Sequence, residues 1–113
     1  MELTPALVER ITARLFPPES RAAAAAVLAR YGTASHEREP LRVRVAALKL
    51  SQGSLERLQS LIESAGRDYR DVLAWAESPV ELRSPTWRMP EADSARIRAG
   101  DKQQYLEWLQ QFE

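Results

Sequence analysis

Two stretches of sequence decide the fold: LRVRVAALKL at residues 41–50 and SLERLQSLIESAGRDYRDVLAWAE at residues 54–77. In the second stretch, apolar residues recur every three or four positions, which places them on one face of a helix. The positions that keep this spacing are Leu55, Leu58, Leu61, Ile62 and Ala65, followed by Tyr69, Val72, Leu73 and Ala76. Because so apolar a face must be covered, the pattern predicts helices packed against other helices.

The first stretch is compatible with two structures. Residues 41–45 alternate between apolar and charged side chains, as a β-strand does, but Ala46 and Ala47 break the alternation. On a helical wheel the apolar residues form two groups, Leu41, Val45 and Leu48 on one side and Val43, Ala47 and Leu50 on another. We therefore predict a central helix with neighbours on two sides, and the strand is the alternative.

The length and charge of the chain limit its class. With 113 residues it is long enough to bury one hydrophobic core and too short for two. Its 16 basic and 16 acidic residues cancel, and the pI is about 6.6. Nucleic-acid-binding proteins usually have a basic stripe or a high pI, so this balance argues against that class.

The cysteine count and the hydropathy of the chain bear on the cellular compartment in which the protein works. The chain contains no cysteine, which excludes disulfides, thiolate metal sites and cysteine nucleophiles. Its first ten residues have no signal-peptide pattern, and the longest apolar run, residues 22–29, is too short to span a bilayer. We expect a cytoplasmic protein that does not bind a membrane.

Prolines divide the start of the chain into two helices. Thr4 followed by Pro5 is typical of a helix start, because the hydroxyl can accept a hydrogen bond from a first-turn amide. Pro17 and Pro18 end that helix and begin the next. The five alanines at residues 22–26 predict a face that packs closely against another helix.

The polar segment at residues 33–40 separates these helices from the central one. Gly32 before it can take the left-handed conformation that commonly follows a helix end. Ser35 could cap a further helix that has Glu37 and Glu39 in its first turn, where negative charge is favourable.

Glycines and capping residues divide the stretch at residues 54–77. Ser54 is predicted to cap a helix that ends near Gly66, and Asp68 is predicted to cap another. A single helix through Gly66 is the alternative, because an interior glycine costs only about 1 kcal/mol relative to alanine.

Three prolines at residues 78–90 predict an extended segment laid across the bundle. A short helix follows at residues 93–99, and Asp101 is predicted to cap the last helix. The apolar face of that last helix consists of Tyr105, Trp108, Leu109 and Phe112.

Together these segments predict an all-α fold, a compact bundle of five to six helices with a proline-rich extended arm before the C-terminal helix. We predict one domain over residues 1–113. It comprises a helical core at residues 1–77, an extended connector at residues 78–92 and a C-terminal helical segment at residues 93–113.

Five residues are candidates for a binding surface: Arg67, Tyr69, Arg70, Trp75 and Trp87. Arginine and aromatic residues are over-represented at binding hot spots, and arginine can bind a carboxylate or phosphate through two parallel hydrogen bonds. The competing interpretation places the rings in the core and pairs Arg67 with Asp71, four residues further along the helix.

The sequence contains no catalytic signature such as a glycine-rich phosphate loop, a nucleophile elbow or an HExxH motif. His36 with Glu37 and Glu39 could bind a metal, but a metal needs three or four converging ligands and there is no second histidine. Asp68 and Asp71 could act as paired carboxylates only if one of them is buried. We predict no catalytic residue, no metal site and no cofactor.

A helix-turn-helix is a third possibility for residues 46–62, with Arg57, Gln59 and Ser60 facing a DNA groove. Two glutamates flank these residues, whereas contact with phosphates requires surrounding lysine or arginine. The segment is therefore better explained as a packed helical hairpin.

Four blocks of the sequence carry a resemblance: ARYG at residues 29–32, HEREP at 36–40, RVRVAALKLS at 42–51 and RDYRDVLAWAESP at 67–79. Together they resemble small uncharacterised bacterial all-helical proteins over about the middle half of the chain, and the last block is the most distinctive. The resemblance implies a bacterial, cytoplasmic origin and assigns no functional residue.

The chain has more leucine and aromatic positions than a small bundle can bury. We therefore predict a non-enzymatic protein-interaction or adaptor module that presents a helical face, with a homodimer as one form. The alternative is a small-ligand-binding protein or enzyme that uses Asp68, Tyr69, Arg70 and Asp71 together with His36. DNA binding is the third hypothesis.

Overall fold

The computed structural model describes residues 2–113, which form six α-helices, one 3-10 turn and no β-strand. The helices are α1 (Pro5–Leu15), α2 (Pro18–Leu28), α3 (Pro40–Ser51), α4 (Leu55–Glu77), α5 (Pro79–Arg83) and α6 (Glu91–Gln110), and the 3-10 turn spans Thr86–Arg88. The predicted all-α bundle is confirmed, and the strand alternative for residues 41–45 is wrong. None of the helices in the described range is both long and apolar enough to cross a membrane.

The first two helices begin where the sequence predicts. Thr4 Oγ1 accepts a hydrogen bond from the Leu7 N–H at 3.1 Å, which caps α1. Pro18 lies in the first turn of α2, where its missing N–H has no helical partner to lose.

The alanine run of α2 does not form the close-packed face that was predicted. Of the five alanines at residues 22–26, only Ala24 is buried. The helix meets the core through Ala24, Val27 and Leu28, which are three or four residues apart. A helix turns one narrow face to its neighbours, so consecutive alanines cannot all be on it.

A carboxylate, and not a helix capped by Ser35, organises the segment between α2 and α3. One oxygen of Glu37 accepts hydrogen bonds from the Gly32 and Ala34 N–H groups, both at 3.0 Å. The hydrogen bonds from the backbone at Ala34 and Gly32 stabilise the ionised form and lower the pKa of Glu37. Glu37 therefore closes a loop instead of lying in a first helical turn.

The predicted central helix is confirmed as α3. Its apolar residues without any solvent exposure are Val43, Val45, Ala46, Ala47 and Leu48. Arg44 reaches from α3 to the end of α2, where its Nε donates to the Leu28 carbonyl at 3.1 Å and its Nη2 to the Tyr31 carbonyl at 2.6 Å. The guanidinium thus adds a second hydrogen bond to the Leu28 carbonyl, which also accepts from the Tyr31 N–H, and ties α3 to the chain that follows α2.

α4 is bent at Asp68, two residues after the glycine at which the sequence predicts the helix to end. Ser54 caps the start of α4 by accepting a hydrogen bond from the Arg57 N–H at 3.2 Å. Asp68 has extended backbone angles, φ −155° and ψ 102°, and its carboxylate accepts from the Arg70 N–H at 3.0 Å. Asp68 therefore caps the second half of α4, as predicted.

The segment predicted as an extended connector, residues 78–92, is only partly extended. Pro79 begins the five-residue helix α5, and the 3-10 turn follows before Met89. A proline blocks the interior of a helix but is compatible with its first turn, so the presence of prolines did not rule out a short helix here.

α6 is one helix where the sequence predicted two pieces. Asp101 does not cap it: the carboxylate is buried and accepts from the Val80 N–H at 3.2 Å and the Glu81 N–H at 3.0 Å. Asp101 thus caps the start of α5 from a different helix. The apolar face at the end of α6 is confirmed, with Tyr105, Leu109 and Phe112 buried and Trp108 half-buried.

The hydrophobic core is formed by α1 to α4 and the end of α6. Residues 77–104, to which we refer as the arm, contribute no buried apolar side chain to it. The molecule is correspondingly elongated, with principal extents of 48 × 30 × 24 Å. The arm is therefore an ordered helical segment without a core of its own.

Candidate functional site

Arg67, Tyr69 and Arg70 lie together at the bend of α4. They line an open groove of about 400 Å³, whose opposite wall is the loop that carries His36 and Arg38. We name this surface the kink groove. It unites three of the five residues that the sequence singles out.

The charges of the kink groove are partly neutralised within it. Arg70 donates from Nε to Asp68 Oδ1 at 3.0 Å and from Nη2 to Oδ2 at 3.1 Å. This pairing lowers the pKa of Asp68 and raises the pKa of Arg70. Within residues 2–113, no carboxylate lies at ion-pair distance from Arg38 or Arg67. These two guanidinium groups are available to an anion.

The acidic cluster proposed for an enzyme is not assembled into an enclosed site. His36, Asp68, Tyr69 and Arg70 line the kink groove, but Asp71 is exposed and lies outside it. Asp68 is engaged with Arg70 and is held ionised by that contact. The groove can bind a charged group, and it contains no buried carboxylate pair that could divide acid and base roles.

Trp75 lies on a different surface. It lines a shallow depression of about 650 Å³ together with Leu50 and Leu61, and its own side chain is 41% exposed. Glu56 and Arg57 also line it. We name this surface the Trp75 groove.

Trp87 lies on the arm, in the 3-10 turn. It is 81% exposed, and Leu82 of α5 is 56% exposed. The Arg88 guanidinium lies over the Trp87 ring, 5.0 Å from its centroid. Neither Arg83 nor Arg88 has a carboxylate within ion-pair distance in residues 2–113. Leu82, Arg83, Trp87 and Arg88 form what we name the arm patch, so the five candidate residues are divided among three surfaces.

A fourth feature, which the sequence analysis did not identify, is a cleft of about 440 Å³ beside Tyr105. Arg42 and Glu77 form an ion pair in its wall, with Arg42 Nε 2.8 Å from Glu77 Oε2. Lys102 and Tyr105, three residues apart on α6, also line it. We name this space the Tyr105 cleft.

The Tyr105 cleft and the apolar part of the arm patch were missed for different reasons. The sequence places Tyr105 on the apolar face of the last helix, and the polar hydroxyl on that face is the available signal. Leu82 lies in the proline-rich segment that the sequence predicts to be a connector, and the available signal is its apolar side chain close in sequence to Trp87.

Residues 2–113 contain no cluster of three or more His, Cys, Asp or Glu side chains that could hold a metal ion.

Comparison of the chain with family models, with curated proteins and with solved structures finds no significant match in any of the three. The candidate surfaces are therefore interpreted on their own chemistry.

Proposed function

We propose that this protein is a protein-interaction module that pairs with a second copy of itself, the arm patch of each copy lying in the Trp75 groove of the other. We further propose that the protein is cytoplasmic and acts without catalysing a reaction. The absence of cysteine is compatible with that compartment.

The observation that carries the proposal is the arm. Residues 77–104 are helical over most of their length yet contain no fully buried apolar side chain, while Leu82 and Trp87 are exposed. Covering exposed apolar surface is favourable by about 25 cal/mol per Å². Large exposed apolar groups are typical of interaction sites, and a partner would give the arm the core that it lacks.

The same molecule offers a surface of matching chemistry. The lining of the Trp75 groove includes the apolar Leu50 and Leu61. Glu56 in the same lining has no cation within ion-pair distance in the part of the chain that the structure describes, and its neighbour Arg57 donates to Gln52 Oε1 at 2.7 Å. The unpaired Arg83 and Arg88 of the arm patch would therefore find an apolar surface and one free carboxylate there.

A twofold axis would use both surfaces of each copy at once. In a twofold dimer every contact between a residue of one copy and a residue of the other occurs twice. The exchange of arms would thus cover Trp75 and Trp87 in both copies and leave no free end for further assembly. Under this symmetry the assembly closes at two copies.

Sedimentation equilibrium of the full chain tests the proposal. We expect a monomer–dimer equilibrium for the unmodified protein and a weaker one for Trp87→Ala. Arg88→Glu and Glu56→Arg should each weaken the dimer, and the double variant should recover part of the lost affinity because opposite charges face each other again. Arg30→Glu, an exposed position outside both surfaces, is the matched control.

Circular dichroism of each variant separates loss of pairing from loss of folding. A protein that stays monomeric up to millimolar concentration contradicts the proposal. Dimerisation that Trp87→Ala and Glu56→Arg leave unchanged contradicts the proposed contact.

A small-ligand site in the kink groove is the second candidate, and the unpaired Arg38 and Arg67 favour it. Titration with inorganic phosphate, followed through the backbone amide resonances, tests this candidate. Binding that Arg67→Gln weakens supports it, and the absence of shifts around the groove contradicts it.

A further inference from the structure

We propose that the Tyr105 cleft binds a small monocarboxylate with an apolar tail, the carboxylate lying between Tyr105 and Lys102. This inference does not depend on the proposed dimer, because it uses neither the arm patch nor the Trp75 groove. Three observations support it: an unpartnered hydroxyl, an unpaired cation and an apolar wall.

The hydroxyl of Tyr105 is the first observation. Tyr105 is 8% exposed, and its oxygen is the one buried side-chain polar atom in residues 2–113 that has no hydrogen-bond partner. A buried polar group without a partner is costly, and buried side-chain polar atoms are usually satisfied. Burial also raises the pKa of Tyr105, so the phenol keeps its proton and is a hydrogen-bond donor at physiological pH.

The charge of Lys102 is the second observation. Three cations line the cleft, and two of them are paired: Arg42 with Glu77, and Arg98 with Glu81 at 3.6 Å. Lys102 has no carboxylate at ion-pair distance within residues 2–113. A single carboxylate would therefore find one free cation and one free donor.

Lys102 and Tyr105 are on the same side of α6, because residues three apart on a helix are neighbours. The Tyr105 hydroxyl has no contact with solvent, so a ligand reaches it only if a side chain at the rim moves. Lys102 is exposed and unpaired, so its long side chain is free to turn toward a carboxylate bound at this position.

The apolar wall is the third observation. Leu3, Leu106 and Leu109 line the cleft next to the polar groups. Its volume of about 440 Å³ lies in the lower part of the range found for small-molecule sites, about 300–1,000 Å³. The arrangement of one charged end and one apolar side matches a short aliphatic acid better than a fully polar anion.

Isothermal titration calorimetry of the full chain with octanoate, below its micelle concentration, tests the proposal. We expect saturable binding that 1-octanol, which has the same tail without the carboxylate, does not match. Tyr105→Phe removes only the hydroxyl and should weaken octanoate binding about tenfold, as expected for a hydrogen bond to a charged group. Lys102→Gln should weaken it by a similar factor.

Gln104→Ala, an exposed position on the same helix outside the cleft, should bind octanoate as the unmodified protein does. Amide resonances of Ser78 and Leu106, both in the cleft lining, should shift on binding. The proposal is overturned if octanoate does not bind, if octanol binds equally well, or if Tyr105→Phe and Lys102→Gln both keep the full affinity.

Discussion

At the scale of single residues, two buried tyrosines differ in whether their hydroxyl has a hydrogen-bond partner. Replacing each with phenylalanine tests what that partner contributes to stability. The Tyr31 hydroxyl donates to the Arg38 carbonyl at 2.7 Å, whereas the Tyr105 hydroxyl has no partner. We expect Tyr105→Phe to raise the free energy of unfolding by about 1 kcal/mol, and Tyr31→Phe to lower it by about the same amount. Urea denaturation measures both changes. A Tyr105→Phe variant less stable than the unmodified protein would contradict the description of the Tyr105 hydroxyl as a group without a hydrogen-bond partner.

A second residue-scale prediction concerns Glu37 and pH. Its pKa is lowered from the ordinary value of 4.5, because its carboxylate accepts hydrogen bonds from the loop amides. On acidification the Glu37 carboxylate is therefore protonated in the unfolded chain before it is protonated in the folded protein. The stabilisation that Glu37 gives the fold is complete above about pH 4.5 and is lost as the pH falls through the lower pKa of Glu37 in the folded protein.

Hydrogen-exchange protection of the Gly32 and Ala34 amides, measured by NMR over this pH range, tests the role of Glu37. We expect protection to fall at acid pH in the unmodified protein and to be low at every pH in Glu37→Ala. Glu63→Ala, a change at an exposed glutamate of α4, is the control and should leave both amides protected.

At the scale of helices, the position of α5 depends on a residue twenty positions further along the chain. Asp101 accepts hydrogen bonds from the Val80 and Glu81 N–H groups. Asp101→Ala should lower the free energy of unfolding by about 1–2 kcal/mol, because it removes a helix cap and leaves two amides unpaired. Faster hydrogen exchange at these two amides is the specific sign.

Asp93→Ala is the control for Asp101, because Asp93 forms an exposed ion pair with Arg96 on the same helix. It should cost less than about 1 kcal/mol. Equal effects of the two substitutions would mean that the cap of α5 contributes nothing beyond ordinary surface charge.

Replacing two of the glycines with alanine should change the stability of the protein in opposite directions. A Cβ at Gly66 would meet no atom within 4 Å, so Gly66→Ala should stabilise α4 by about 0.5–1 kcal/mol. Gly53 has φ +79°, and a Cβ there would lie 2.7 Å from the Leu15 carbonyl oxygen. Gly53→Ala should therefore destabilise the protein by about 1–3 kcal/mol, and thermal unfolding of the two variants should move in opposite directions.

Features set by neighbouring residues could be predicted from the sequence. In the Thr4 and Ser54 caps the hydroxyl accepts a hydrogen bond from the amide three residues further on, and the central position of α3 depends on its apolar spacing. The cap at Asp68 belongs to the same class. Local spacing of this kind is present in the linear sequence whatever the fold.

Features set by contacts across the chain could not be predicted. Asp101 is followed by Gln104, which is a plausible capping pair for its own helix, and only the packing of α6 against α5 shows that it caps the latter. The candidate site shows the same limit. Arg67 and Arg70 are close in sequence to Trp75, but the bend at Asp68 and the facing loop determine which surface each one joins.

At the scale of the whole molecule, the three tryptophans should differ in their access to a quencher. Trp87 is 81% exposed, Trp75 is 41% exposed and Trp108 is half-buried. At low protein concentration, iodide should quench Trp87 most strongly, and Trp87→Phe should remove most of the quenchable fluorescence. If the arm is covered in a dimer, raising the protein concentration should protect this fraction, and a quenching curve independent of concentration would contradict that.

The packing of consecutive helices has a consequence for the speed of folding. The most extensive helix pair is α3 with α4, which a short turn joins in the chain. Little chain entropy is lost in bringing such neighbours together, and helical proteins rich in local contacts fold in microseconds to milliseconds. We expect the α3–α4 hairpin to form early in refolding and the arm to dock last, as a late phase visible in stopped-flow tryptophan fluorescence.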